Sequence, residues 1–219
     1  MDFVPKAEKV QWVSLDFKTI LTWTTRASNY KYTVLYSGDD SDWMGSQDCI
    51  QMSESECDLT QHLIPLNRNY TADIQTEPES PDYDSDPEFL PHTYSPHFNP
   101  YKQSNISAVN FTVKAEDERS VIISIIDPLT SIHEGGKQLS IRDVLKNDLK
   151  YKIIYYKSGS TGKKQIISDS SITVVPDLDA GQSYCFMVAA FIPSRPKTTQ
   201  QGAWGIHSCT TGNTTIMPD

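Results

Sequence analysis

Two short segments carry residue types that hold phosphate or calcium in other proteins, but neither keeps the necessary spacing. The segment 159–164, Gly-Ser-Thr-Gly-Lys-Lys, is similar to the end of a phosphate-binding loop. Its glycines are too close together, and Lys164 stands where that loop needs Ser or Thr. The acidic run 82–86 is similar to the start of a calcium loop, but Pro87 and Thr93 replace the required Gly and Glu. We interpret both segments as solvated loops and predict neither a metal ion nor an organic cofactor.

The histidines and serines show no catalytic spacing either. None of the five histidines fits H-x-x-x-H or H-E-x-x-H, and no G-x-S-x-G segment is present. His92 and His97 fall in a proline-rich stretch and are interpreted as exposed loop residues. A triad built from distant residues leaves no local motif, so an enzyme remains an alternative that the sequence disfavours.

The net charge argues against nucleic-acid binding, and the cysteine spacing argues against a zinc site or a thioredoxin-like protein. The net charge of −9 is unsuited to nucleic acid, because binding phosphates requires clustered Lys and Arg. The four cysteines are Cys49, Cys57, Cys185 and Cys209, and none forms a C-x-x-C pair. They allow three pairings, which the sequence leaves open, although two early and two late cysteines favour one bridge in each half.

Glycosylation sequons indicate the secretory pathway. They begin at Asn69, Asn105, Asn110 and Asn213, and together with an even cysteine count they favour an oxidising compartment. The N-terminus has no apolar leader, and the longest apolar run, 121–126, is far too short to span a bilayer. We therefore expect a secreted protein or the extracellular part of a membrane protein.

Strand patterns recur in both halves of the chain. In the first half they cover 11–15, 19–23, 30–36 and about 69–75, and in the second half 107–114, 120–126, 149–157, 164–168, 171–175, 184–191 and 204–210. The proline-rich stretch 76–101 is predicted to be loop, irregular edge or linker. These patterns predict an all-β chain of two tandem β-sandwiches, with domains at 1–103 and 104–219.

A few residues have specific local predictions. Ser140 is expected to cap a short helix, with Asp143 completing a capping box. Trp23 ends an alternating strand and is assigned to the core. Trp43 lies in a polar loop, where an aromatic ring either plugs the loop or serves as an exposed anchor for a partner. Two sandwiches without active-site motifs favour recognition of another protein.

Several longer segments match one known family in the same order along nearly the whole chain. They are 16–23, 56–60, 87–89, 140–144, 148–149, 155–158, 162–164, 184–186 and 192–195. On these segments the chain resembles the extracellular region of the tissue factor family, a branch of the class II cytokine receptors.

The resemblance implies two fibronectin type III domains with the disulfides Cys49–Cys57 and Cys185–Cys209. It also implies a following helix that anchors a single-pass type I protein at the cell surface, at an anionic phospholipid membrane. It implies a non-enzymatic cofactor of blood coagulation, which binds factor VII/VIIa along the outer face of both domains, activates it allosterically and positions factor X or factor IX. The protease contacts that the motifs carry over are Lys18, Ile20, Asp42, Trp43, Asp58 and Tyr83. Without the resemblance, Lys18 and Asp58 would be interpreted as ordinary exposed charges.

The resemblance also implies a docking site for the macromolecular substrate. Its residues are Lys157, Gly162, Lys163, Lys164 and Tyr184. The basic pair would attract the acidic membrane-binding domain of factor X, and the glycine would allow close backbone approach. The alternative is a solvated hairpin tip.

Departures from the family pattern predict a distant, non-mammalian member with weakened contacts to a mammalian protease. Gln138 stands where the family has an aromatic contact, and Thr22 replaces an acidic residue. The loop between Trp43 and Cys49 is also longer than expected. The alternative function is a class II cytokine receptor chain that binds a helical cytokine.

Overall fold

The computed structural model describes residues 4–26, 29–77 and 90–212. It divides the chain into two compact units, Met1–Ser104 and Asn105–Asp219. Strands dominate both units, so the predicted all-β class is confirmed. No helix within the described ranges is long and apolar enough to cross a membrane. Tyr83, Asn213 and the motif at 87–89 lie outside the described residues.

The first unit is a sandwich of two antiparallel sheets. Its strands are β1 (Glu8–Leu15), β2 (Lys18–Thr24), β3 (Lys31–Gly38), β4 (Met44–Gly45), β5 (Glu56–Asp58), β6 (Tyr70–Glu77) and β7 (His92–Tyr94), followed by the short helix α1 (Pro100–Gln103). One sheet has the order β1-β2-β5 and the other β4-β3-β6-β7. Residues 92–94 of the proline-rich stretch therefore form β7 at the edge of this sheet. An edge position tolerates nearby prolines, because a proline cannot donate a ladder hydrogen bond.

Strict alternation along β2 separates its two faces. Leu21 and Trp23 are 0% and 3% exposed and point into the core, whereas Ile20 and Thr22 face outward. Trp23 meets Tyr32 of β3 edge to face, with ring centroids 5.9 Å apart. The assignment of Trp23 to the core is confirmed.

A two-residue turn sets the register between β1 and β2. Asp16 and Phe17 have φ of 46° and 67°, the left-handed pair that matches the twist of a hairpin. The Phe17 ring is fully buried, and its backbone N–H donates to Ser104 Oγ at 2.9 Å. Burial of the ring stabilises a conformation that a residue other than glycine rarely adopts, and the turn places Lys18 opposite Leu15.

The second unit is also built from two main sheets. Its elements are β8 (Asn110–Asp117), β9 (Ser120–Ile126), β10 (Leu129–Glu134), β11 (Lys137–Ser140), α2 (Ile141–Leu145), β12 (Lys150–Lys157), β13 (Lys164–Ser168), β14 (Ile172–Val175), β15 (Tyr184–Phe191) and β16 (Ser208–Cys209). The sheets have the orders β14-β9-β8 and β13-β12-β15-β16, while β10 and β11 form a separate hairpin.

Most of the sequence predictions for the second unit hold, but the strand predicted at 107–114 begins only at Asn110 and runs to Asp117. Ser140 and Asp143 form the expected capping box at the start of α2. The hairpin β10–β11 was not predicted. The strand predicted at 204–210 is wrong except at Ser208–Cys209, because the preceding segment follows the residues before β8, where the Ala203 N–H donates to Ile106 O at 3.0 Å.

Candidate functional site

The outer surface of the sheet β1-β2-β5 carries three of the predicted contact residues. Lys18 begins β2 and is exposed, and Ile20, which is half-buried, stands directly opposite Asp58 of β5. Opposed residues of an antiparallel pair project to the same side of the sheet. The fold therefore brings Lys18, Ile20 and Asp58 to one face.

Asp58 is oriented by its neighbour rather than by Lys18. Its Oδ1 accepts hydrogen bonds from the backbone N–H and the hydroxyl of Thr60, at 2.9 and 2.6 Å. Thr60 Oγ1 in turn accepts from the backbone N–H of Thr19 at 2.9 Å. Within the described part of the chain no ion pair joins Lys18 and Asp58, so both charges remain directed to the surroundings.

Two apolar residues of this face were missed by the sequence analysis. Val13 of β1 pairs with Ile20, and Leu15 pairs with Lys18; Val13 and Leu15 are 52% and 51% exposed. The alternation of β1 together with a two-residue turn after Leu15 would have predicted this placement. We call the set Val13, Leu15, Lys18, Ile20 and Asp58 the β2 face.

Trp43 lies on the other sheet of the first unit, in the connection from β3 to β4. Its indole stacks on Tyr94 of β7 with centroids 5.8 Å apart, and the two side chains remain 43% and 57% exposed. Asp42 beside it is also exposed. Trp43 is therefore a supported but exposed ring, and Tyr94 is a further residue that no sequence signal indicated.

The ring pair of Trp43 and Tyr94 is connected to a buried carboxylate, Asp73, through His92. His92 packs edge to face on Tyr94 at 4.9 Å, and His92 Nδ1 lies 2.8 Å from Asp73 Oδ1. Burial raises the pKa of Asp73, and the hydrogen bond with His92 acts in the opposite sense. The interpretation of His92 as an exposed loop residue is wrong, because β7 places it half-buried over Asp73; His97 is exposed as expected.

The disulfide Cys49–Cys57 connects the two parts of this site. Cys49 follows β4 and Cys57 is the central residue of β5. The bridge thus joins the β4 edge of one sheet to the β5 edge of the other. The second disulfide, Cys185–Cys209, links β15 to β16. Both pairings are those that the resemblance implies.

The predicted substrate-docking residues line one surface groove of the second unit. Lys157, Gly162, Lys163, Lys164 and Tyr184 all border it, and its volume is about 380 Å³. Lys163 and Lys164 are exposed, and the Lys163 ammonium lies 5.6 Å from the centre of the Tyr156 ring. We call this set the basic groove.

Two members of the basic groove are already engaged within the unit. Lys157 forms an ion pair with Asp179, and this hydrogen-bonded contact raises the pKa of Lys157 and lowers that of Asp179. Tyr184 is only 8% exposed, and its hydroxyl accepts the backbone N–H of Asp179 at 2.9 Å. Asp177 also lines the groove, so the available positive charge is carried by Lys163 and Lys164.

Gly162 is not required by the groove's own packing. Its φ is outside the left-handed region, and a Cβ added there would meet only the Ser160 hydroxyl oxygen at 3.8 Å. A need for glycine at this position could only come from a partner.

The remaining predicted positions are on the surface. Asn69, Asn105 and Asn110 are exposed, and Asn69 Oδ1 accepts a hydrogen bond from Asn99 Nδ2 at 3.4 Å. Gln138 is exposed on β11, where its side-chain N–H donates to Thr130 O at 2.8 Å. In the described ranges no group of three or more His, Cys, Asp or Glu side chains could hold a metal ion.

Comparison with known proteins identifies the family. The family model described as tissue factor matches residues 2–83, and the one described as interferon-alpha/beta receptor, fibronectin type III, matches residues 105–211. Tissue factor of Mus musculus is 34% identical over 213 residues, 94% of this chain and 71% of that protein. Tissue factor of Oryctolagus cuniculus is 31% identical over 211 residues, 95% and 71% of the respective chains.

A solved structure shows the same fold. The chicken interferon gamma receptor alpha chain superposes with a TM-score of 0.70 at 17% identity, covering 95% of this chain and 98% of that chain. The predicted architecture of two fibronectin type III sandwiches is thereby confirmed. The chain belongs to the tissue factor family, whose members are non-enzymatic receptors related to the class II cytokine receptors.

Proposed function

We propose that this chain is the extracellular part of a cell-surface receptor that binds coagulation factor VII/VIIa, activates it allosterically and presents factor X or factor IX to it. Family membership supports the proposal in general. The observation that carries it is the β2 face, where the exposed side chains of Val13 and Leu15 lie on the same side of the sheet as the charges of Lys18 and Asp58.

The composition of the β2 face fits a protein partner. Val13 and Leu15 are each about half exposed on the edge strand β1, next to the half-buried Ile20 of β2, and an interface typically buries such an apolar patch inside a polar rim. Lys18 and Asp58 supply charges of opposite sign at the rim, which orient a partner more than they add to its affinity.

The Trp43–Tyr94 pair supplies the aromatic anchor of the same proposal. Aromatic residues that remain exposed on a rigid support are enriched among the residues that dominate binding energy. Trp43 loses little freedom on binding, because the stacking on Tyr94 at 5.8 Å already limits the positions of its ring. Asp42 and Tyr83 complete the proposed protease contacts.

The basic groove is proposed to dock the macromolecular substrate. Lys163 and Lys164 are free to contact an acidic surface, whereas the Lys157 charge is offset by Asp179. We therefore expect a weaker electrostatic contribution than a groove with all three lysines available would give.

The test is the amidolytic activity of species-matched factor VIIa on a small chromogenic substrate, with and without this chain. A saturable increase that is lost in Lys18→Ala, Trp43→Ala and Asp58→Asn supports the proposal. The asparagine keeps the oxygen that Thr60 binds and removes only the charge. Lys114→Ala, an exposed lysine of β8, is the matched control.

A second assay separates the two surfaces. Replacing Lys163 and Lys164 together by alanine is expected to lower factor X activation more than amidolytic activity. Absence of any amidolytic increase with a competent protease would favour a class II cytokine receptor that binds a helical cytokine, an alternative supported by the interferon receptor model that matches the second unit.

A further inference from the structure

The outer face of the sheet β14-β9-β8 in the second unit is apolar and exposed. Ile126 of β9 and Ile172 of β14 are 65% and 63% exposed, and Val174 is 44% exposed. Val174 stands opposite Ile122, which is half-buried, and Ile172 stands opposite Ser124. Patches of this kind on a soluble domain are normally covered or functional. We call this set of five residues the β9 face.

A glycosylation sequon lies on the same face. Asn110 and Thr112 of β8 are both exposed, and they stand directly opposite Ile126 and Ser124. Because side chains two residues apart on a strand share a side, the acceptor amide and its required hydroxyl both project over the β9 face. The sequon pattern alone does not distinguish Asn110 from Asn105 or Asn69, but its position next to Ile126 does.

We propose that Asn110 carries an N-linked glycan and that this glycan covers the β9 face. The side-chain amide nitrogen attacks the anomeric carbon of a lipid-diphosphate-linked oligosaccharide. A C–N bond forms, the C–O bond to the diphosphate breaks, and the amide loses one proton as the lipid diphosphate leaves. The attached sugars are bulky and solubilising, and their first residues lie within reach of Ile126.

The glycan also protects an edge strand. Within the described residues β8 pairs only with β9, so it is an edge strand of its sheet, and such an edge is a common route to aggregation. Lys114, opposite Ile122, is a charged residue on the same edge strand and also disfavours pairing with another chain. A single modification at Asn110 thus shields both the apolar face and the strand edge.

The experiment uses the whole chain secreted from a eukaryotic host. Peptide mapping after enzymatic release of the glycans, which converts the acceptor Asn to Asp, is expected to find Asn110 modified in most molecules. The folded protein before and after release is then compared for binding of a hydrophobic dye and for self-association by sedimentation. The deglycosylated form is expected to bind severalfold more dye and to self-associate at lower concentration.

Variants separate the effect of this site from that of the other glycans. Thr112→Ser keeps the sequon and is expected to behave as the glycosylated parent protein. Thr112→Ala removes the sequon and is expected to behave as the deglycosylated form. Asn105→Gln removes a different sequon and leaves dye binding unchanged. Adding Ile126→Thr to Thr112→Ala is expected to lower dye binding again, because it removes the most exposed apolar residue of the β9 face.

Three results would overturn the proposal. Asn110 could be unmodified in the secreted protein. It could be modified with no difference in dye binding between the two forms. Alternatively, both forms could sediment as the same stable dimer, in which case a second copy of the chain covers the β9 face.

Discussion

Replacing Val13 by aspartate is the most direct way to test whether the β2 face is a binding surface. Burying a complete valine side chain is worth about 1.5–3 kcal/mol. Since Val13 is 52% exposed, a partner that covers it would gain roughly half of that, about 0.8–1.5 kcal/mol, by the same relation. The substitution removes this gain and places a new carboxylate under the partner.

A carboxylate buried without a partner adds a penalty of about 1–3 kcal/mol or more. Together the two effects predict a loss of at least about 2 kcal/mol of binding free energy, or roughly a 30-fold higher Kd for factor VIIa. The isolated chain should lose little stability, about 1 kcal/mol or less, because the position is exposed and the main cost is a lower strand propensity.

Surface plasmon resonance with species-matched factor VIIa measures the effect on Kd, and thermal unfolding checks the fold. Val174→Asp is the matched control, since Val174 is also an exposed mid-strand valine at 44% but belongs to the second unit. If the Val13 variant is folded and binds within twofold of the unmodified chain, the β2 face is not the contact surface.

Three further results are expected. Tyr151→Phe removes the hydroxyl that donates to Asp127 inside the second unit, and should lower the free energy of unfolding by about 1.5–3 kcal/mol, detected as faster hydrogen exchange of that unit; an unchanged exchange rate would contradict this. Gln138→Phe should increase affinity for factor VIIa in the same binding assay, since it restores an aromatic contact that the family has; equal affinity would show that a neighbour already replaces it. Burial raises the pKa of Asp73, so its contribution to stability increases as the pH falls through that pKa; His92→Ala should raise the pKa further in an NMR titration, and a lower value would refute the proposed role of the hydrogen bond.

The affinity prediction for a mammalian protease follows from the same surfaces. Thr22 and Gln138 lack the acidic and aromatic groups of the family pattern, and the Lys157 charge is offset by Asp179. Unreduced binding to a mammalian factor VIIa would show that these departures are compensated elsewhere.

Local patterns in the sequence determined the strands and their faces. Alternation along β2 was sufficient to assign Trp23 to the core and to place Ile20 on the opposite face, because a strand has a period of two whatever it packs against. The capping box of Ser140 and Asp143 was equally predictable, since its hydrogen bonds lie within four residues.

Only the tertiary structure decided which distant residues meet. Nothing in the sequence indicated that Trp43 stacks on Tyr94 or that His92 lies on Asp73, because these contacts depend on how β3, β6 and β7 pair. The position of Asn110 opposite Ile126 likewise follows from the register of β8 and β9. A sequence fixes the periodicity of each strand, whereas the pairing of strands far apart in the chain results from burying all their apolar faces at once.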